Sequence, residues 1–156
     1  MSNTTIVAEP GKQEIFVTRI IDAPREKVWQ ACTDPNMIPQ WWGPRGLTTT
    51  VAAFELKHGG VWRFVQKDDN GGEFAFRGVY HFIQPMEKVV QTFEWEGMPG
   101  HVLMETVLFE EMPDGKTKIT EQSVFQSVAD RDGMLQTGME HGATESTERL
   151  QELLAK

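Results

Sequence analysis

Tyr80, Gln91, Glu121 and His141 are the residues whose types and surroundings would let them act on a bound molecule. The first three share strand parity with apolar neighbours, so alternation turns them toward an interior. There a carboxyl or imidazole, Glu121 or His141, could serve as acid or base, with Tyr80 as a hydrogen-bond donor. Ile119 and Phe125 flank Glu121 at period two, which predicts a buried, hydrogen-bonded carboxyl. Arg77, His81 and Glu105 fall on the opposite parity and read as outer-surface groups. His141 stands on a helix edge with Glu145 four residues on, and a solvated helix pair is the simpler reading for those two.

Around these polar groups the sequence supplies rings. Alternation groups Trp62 with Phe64, Phe74 with Phe76, Tyr80 and Phe82, and Phe93 with Trp95. Opposite them the last helix offers small or flexible residues: Gly138, Met139, Gly142, Ala143 and Ser146. Large rings facing small side chains predict a hollow. Its expected lining is Trp41, Trp42, Trp62, Phe64, Phe76, Tyr80, Gln91, Phe93, Trp95, Met104, Met139, Gly142 and Ala143. An ordinary core, with glycines allowing close helix packing, would use the same residue types. Gly133, Gly138 and Gly142 inside one helix each cost about 1 kcal/mol against alanine, which favours a use for the missing side chains. Trp41 and Trp42, beside Gly43 and Pro44, read first as a hydrophobic plug under a helix-to-strand corner and second as a ligand gate.

Several function classes lack support. His58, His81, His101 and His141 are isolated, with no pair at metal-binding spacing, so no metal is expected. A nucleophile elbow, a phosphate-binding glycine loop and a dinucleotide fingerprint are missing, and no cofactor is expected. The net charge of -8, with basic residues scattered singly, argues against nucleic acid. Cys32 is the one cysteine, which suits a reducing, cytoplasmic setting and a buried thiol. There is no apolar run of membrane-spanning length, and the opening MSNTTIVAEPGKQE lacks the regions of a signal peptide.

The secondary structure that would hold these residues follows from pattern. Residues 1–13 read as an arm, and residues 14–156 as a single domain. EIFVTRII at 14–21 reads as a first strand, and DAPREKVWQAC as a short helix with Pro24 in its first turn. Asp34 and Pro35 open a second short helix, which Pro39 and the WWGP turn stop. Strand runs at 47–57, 61–68, 73–83, 88–96, 101–112 and 116–126 are separated by HGG, NGG, QPME, GMPG and PDG turns. Connectors so short allow only antiparallel neighbours. Ser127 caps a final helix predicted to run about 40 Å to the C-terminus. The fold class is α+β: a seven-stranded curved antiparallel sheet with two short helices and a long C-terminal helix. The edge strand at 47–57 could pair with a second copy, giving a homodimer.

That order is similar to the helix-grip fold. The stretches DAPREKVW, TDP, QWWGP, GGVWRF, RGVYHFIQP, TFEW and GMEHGATESTERLQELL resemble the START-like (SRPBCC) superfamily. Within it they resemble the branch holding the C-terminal domain of the activator of heat-shock-protein-90 ATPase and its bacterial homologues. The resemblance covers about residues 14–155 and implies a cavity between sheet and helix, the ligand site of START-like lipid carriers and polyketide cyclase relatives. It implies no shared catalytic residue. The first expectation is therefore binding of an apolar, ring-bearing small molecule or lipid. The second is a cyclase or hydrolase using the same cavity. A co-chaperone-like protein-binding module ranks third, because only a short arm stands where the eukaryotic co-chaperone has a further domain.

Overall fold

In Glu14–Ile21 alternation is strict: Ile15, Val17, Arg19 and Ile21 are buried while the residues between them are not. A strand with one buried face needs a sheet around it. The computed structural model describes residues 3–156, and Met1 and Ser2 lie outside the described residues. Its strands are β1 (Thr4–Val7), β2 (Glu14–Ile21), β3 (Thr48–Phe54), β4 (Val61–Lys67), β5 (Glu73–Gln84), β6 (Lys88–Trp95), β7 (Val102–Glu111) and β8 (Thr117–Val124). They form one antiparallel sheet in the order β1-β2-β8-β7-β6-β5-β4-β3. Helix α1 (Arg25–Thr33) and a 3-10 turn (Ile38–Gln40) lead from β2 to β3, and α2 (Val128–Leu135) and α3 (Met139–Leu154) follow β8. This is the helix-grip α+β arrangement.

Two details differ from the sequence expectation. The sheet has eight strands rather than seven, because part of the N-terminal arm pairs with β2 from Thr4↔Arg19 to Val7↔Phe16. Buried Arg131 helps to hold the arm, donating from Nη1 to the carbonyl of Glu9 at 2.8 Å. The terminal helix is two helices, broken at Gly138, which adopts φ +82. A left-handed residue ends a helical path and favours glycine. The 16 residues of α3 therefore span about 24 Å, and Gly138 serves the break rather than a helix interior.

A β-bulge between Tyr80 and Phe82 changes which rings face inward. Beyond it Phe82 lies on the outer face, 5.7 Å from the His58 ring and beneath the Lys88 ammonium, while Ile83 takes the inward place. Phe74 is likewise exposed. Helix α3 packs on the β1–β2 side of the sheet and against α1 and the 3-10 turn, with Leu150 completely buried. Among the described residues no helix is long and apolar enough to cross a membrane.

Candidate functional site

Strand register assembles a polar row on the inner face. Tyr80 of β5 lies opposite Gln91 of β6, Gln91 opposite Glu105 of β7, and Glu105 opposite Ser123 of β8. Directly opposed residues have Cβ atoms about 4.5–5.5 Å apart, within reach of hydrogen bonds. Gln91 Nε2 donates to Glu105 Oε1 at 3.0 Å, and Ser123 Oγ donates to Oε2 at 3.4 Å. Two residues before Ser123, Glu121 also faces inward and accepts a hydrogen bond from Arg19 Nη1. Arg19 Nε donates to Thr147 Oγ1 on α3 at 2.9 Å, and Thr147 donates in turn to the Ala143 carbonyl at 3.0 Å. One guanidinium thus ties β2, β8 and α3 together.

The surroundings tune these groups. Burial pushes the Glu105 carboxyl up to about 7, and the nearby Glu121 charge acts in the same direction against the Gln91 hydrogen bond and the Arg19 charge. Burial likewise pushes the Cys32 thiol up to about 12. It raises the Tyr80 phenol above its ordinary range, with the Glu105 charge adding to the effect. Glu105 and Cys32 retain some accessible surface because they line a cavity that is only partly enclosed.

The rings stand on the other side. Trp42 meets Phe64 edge-on at 5.0 Å between centroids and Phe76 at 5.6 Å. Phe93 lies 5.4 Å from Phe76 and 5.7 Å from Trp62. Gly78 makes room for this packing, since a Cβ there would come within 2.5 Å of Trp62 Nε1 and 1.9 Å of the Thr92 carbonyl oxygen.

The QWWGP corner closes one side. Trp41 is buried and donates from Nε1 to the Ala31 carbonyl at 2.9 Å, which makes it the plug. Trp42 turns to the ring wall instead. Gly43 has φ +94, and a Cβ on it would overlap Gln66 Nε2 at 2.0 Å, so the corner requires glycine. Helix α3 fastens it: Gly43 N donates to Ser146 Oγ at 2.8 Å, and Arg149 Nη1 donates to the carbonyls of Gly43 and Pro44 at 3.0 and 3.3 Å.

Between these walls is a partly enclosed cavity of about 330 Å³. Of the residues expected to line a hollow, Trp41, Trp42, Trp62, Phe64, Phe76, Tyr80, Gln91, Phe93, Met139, Gly142 and Ala143 do so. Trp95 and Met104 lie outside it. Trp95 shares the face of Phe93 but sits at the end of β6, its ring folded against Gly97 and 36% exposed. Met104 is 47% exposed because β7 turns Leu103, Glu105, Val107 and Phe109 inward. Apolar residues occupy both parities of that strand, and the same ambiguity placed Glu105 on the outside in the sequence reading. Its position among Leu103, Val107 and Phe109 was the available signal.

The three residues weighed for catalysis separate in the same way. Tyr80 and Glu121 line the cavity, Glu121 already engaged with Arg19. His141 does not; its imidazole is solvated on α3 beside Glu145, Nε2 to Oε1 3.2 Å. Sequence reasoning passed over Arg19, Cys32 and Gln66, which also line the cavity. An arginine on the buried parity of EIFVTRII was a legible sign of an internal charge.

Comparison with known proteins agrees with this architecture. A protein from Rhodobacter sphaeroides superposes with a TM-score of 0.89 at 23% identity, over 98% of each chain. Ms6760 from Mycobacterium smegmatis superposes with a TM-score of 0.87 at 21% identity, over 97% of this chain and 96% of its own. DynU16, from the dynemicin biosynthetic locus, gives 0.70 at 19% identity, over 93% of this chain and 48% of its own. At such identities the likeness is one of fold. A search of curated proteins gives no match. Residues 22–155 match the family described as activator of Hsp90 ATPase homolog 1-like protein, and with most of its length so matched the chain belongs to that family.

Proposed function

We propose that this protein binds one small, largely apolar, ring-bearing molecule in the cavity between the β4–β6 wall and α3. The void itself carries the reading: about 330 Å³ bordered by Trp42, Phe64, Phe76 and Phe93, in a class of molecule whose interiors otherwise pack to crystal density. An unfilled void of that size weakens a core. Its volume lies at the small end of the range for ligand pockets, roughly 300–1,000 Å³. That suits a molecule of a few fused rings better than a two-chain lipid.

The test is titration with naphthalene, biphenyl and fluorene, followed by tryptophan fluorescence and melting temperature. Saturable fluorescence change and a raised melting temperature are expected, with stabilisation of about 2.7 kcal/mol at a hundredfold excess over Kd. Gly142→Trp should abolish both, because a side chain at Gly142 meets open space at the cavity edge. Absence of any response in the unaltered protein would sink the proposal.

One observation favours a second reading, proton transfer to or from the bound molecule. Glu105, pushed up to about 7 by burial, faces the cavity with the pKa that a general acid or base needs near neutrality. DynU16, which shares the fold, comes from a biosynthetic locus, and cyclisation of a polyketone or hydrolysis of an ester would suit such a site. Product formation lost in Glu105→Gln while binding persists would favour this reading over simple binding.

A further inference from the structure

We propose, resting on the reading of the cavity as a ligand site, that Tyr80, Glu105 and Arg19 form a hydrogen-bonding end that selects ring ligands bearing one uncharged oxygen function, a hydroxyl or carbonyl. The Tyr80 hydroxyl carries the argument. Tyr80 lines the cavity and is only 5% exposed, and its hydroxyl, which keeps contact with the cavity space, makes no hydrogen bond among the described residues. A buried phenol offers one donor and two acceptor sites, and leaving them all unmade is unfavourable unless something else completes them.

Its neighbours have the same spare capacity. Arg19 uses Nε on Thr147 and Nη1 on Glu121, and its Nη2 has no partner among the described residues. Glu105 accepts one hydrogen bond at each oxygen, from Gln91 and Ser123, whereas a carboxylate has about four acceptor positions. Tyr80 and Glu105 are two strands apart in one row. That separation is about 10 Å at the backbone, and both side chains reach the same cavity.

Charge decides what kind of group fits. The charged side chains lining the cavity are Arg19, Glu105 and Glu121. The guanidinium is already matched by Glu121, so a ligand carboxylate or phosphate would add a negative charge beside two carboxyl groups with no cation left to balance it. A bare hydrocarbon would leave the Tyr80 hydroxyl unpaired. A neutral hydroxyl or carbonyl satisfies Tyr80 and adds no charge, and a site built to pair such a group discriminates against analogues that lack it.

Calorimetric titration with naphthalene, 2-naphthol and 2-naphthoate tests this. The naphthol should bind about tenfold more tightly than either of the others, the size of one net hydrogen bond. Tyr80→Phe should remove that preference while naphthalene still binds, and should not lower the melting temperature, since the hydroxyl bonds to nothing in the unliganded protein. Naphthol binding no tighter than naphthalene, or a preference that survives Tyr80→Phe, overturns the inference and leaves the apolar cavity reading standing. Tightest binding by naphthoate overturns the charge argument and the inference with it. Failure of all three compounds to bind overturns the cavity reading and this one together.

Discussion

On the β4–β6 side of the cavity, Trp42, Phe64, Phe76 and Phe93 hold one another by edge and tilted contacts between 5.0 and 5.6 Å, where Trp42 meets Phe64 and Phe76 and Phe76 meets Phe93. On the β2–β8–β7 side, Arg19 is buried, Glu105 is pushed up by burial, and Glu121, partly buried, is paired with Arg19. The ring side gains from burial whatever its detailed geometry, because apolar transfer is non-directional. The charged side gains only while every partner is present, since desolvation must be offset by particular bonds. Hydrophobic residues of similar volume would often make an equally stable core.

The sharpest way to break this contrast is to remove one member of the ion pair. Arg19→Met leaves Glu121 without its guanidinium partner and should cost about 3–5 kcal/mol of unfolding free energy in urea titration. The double variant Arg19→Met with Glu121→Leu should recover much of that loss. If the single variant is no less stable than the double, the two carboxyl groups do not depend on Arg19 and the contrast collapses.

Glu105 provides the next largest effect, with the opposite sign. Its carboxyl is raised from an ordinary 4.5 to about 7, so between those values the folded protein holds a proton that the unfolded chain has released. The contribution of this group to stability should therefore be highest below about pH 4.5, fall as pH rises through 7, and change little above that. Glu105→Gln does not titrate and keeps an acceptor for Gln91. It should exceed the unaltered protein at pH 8 by up to about 3 kcal/mol and lose the advantage near pH 4.5. Parallel pH profiles of melting temperature for the two proteins would refute the buried state of this carboxyl.

The smallest effect sharpens the role of α3, which roofs both sides. A methyl group at Gly142 meets nothing within 4 Å, so Gly142→Ala should stabilise the helix by about 0.5–1 kcal/mol. With so small a side chain the cavity should still bind ring compounds. Stabilisation accompanied by loss of binding would mean that the glycine itself contacts the ligand.

Much of this was open to reading before any coordinates. Turn residues and β-branched alternation located the strands to within a few residues, and the inward placement of Trp62, Phe64, Phe76 and Phe93 followed from period two. The alternation of EIFVTRII even held the sign of an internal arginine. Glu105 was hard to place because β7 is apolar on both parities, and its alternation with Leu103, Val107 and Phe109 was only a weak signal. Phe82 was misplaced because alternation was carried through a bulge that only pairing with β6 reveals.

The order of elements, the antiparallel meander and the stock of rings and small residues are all written in local pattern, because backbone propensity and side-chain alternation act between near neighbours. It took packing across the whole domain to bring Arg19 and Glu121, 102 positions apart, together, to divide the last helix at Gly138, and to halt α3 short of filling the concave face. Those outcomes depend on cross-strand register and on where a helix comes to rest, and both are set by contacts between residues distant in the chain.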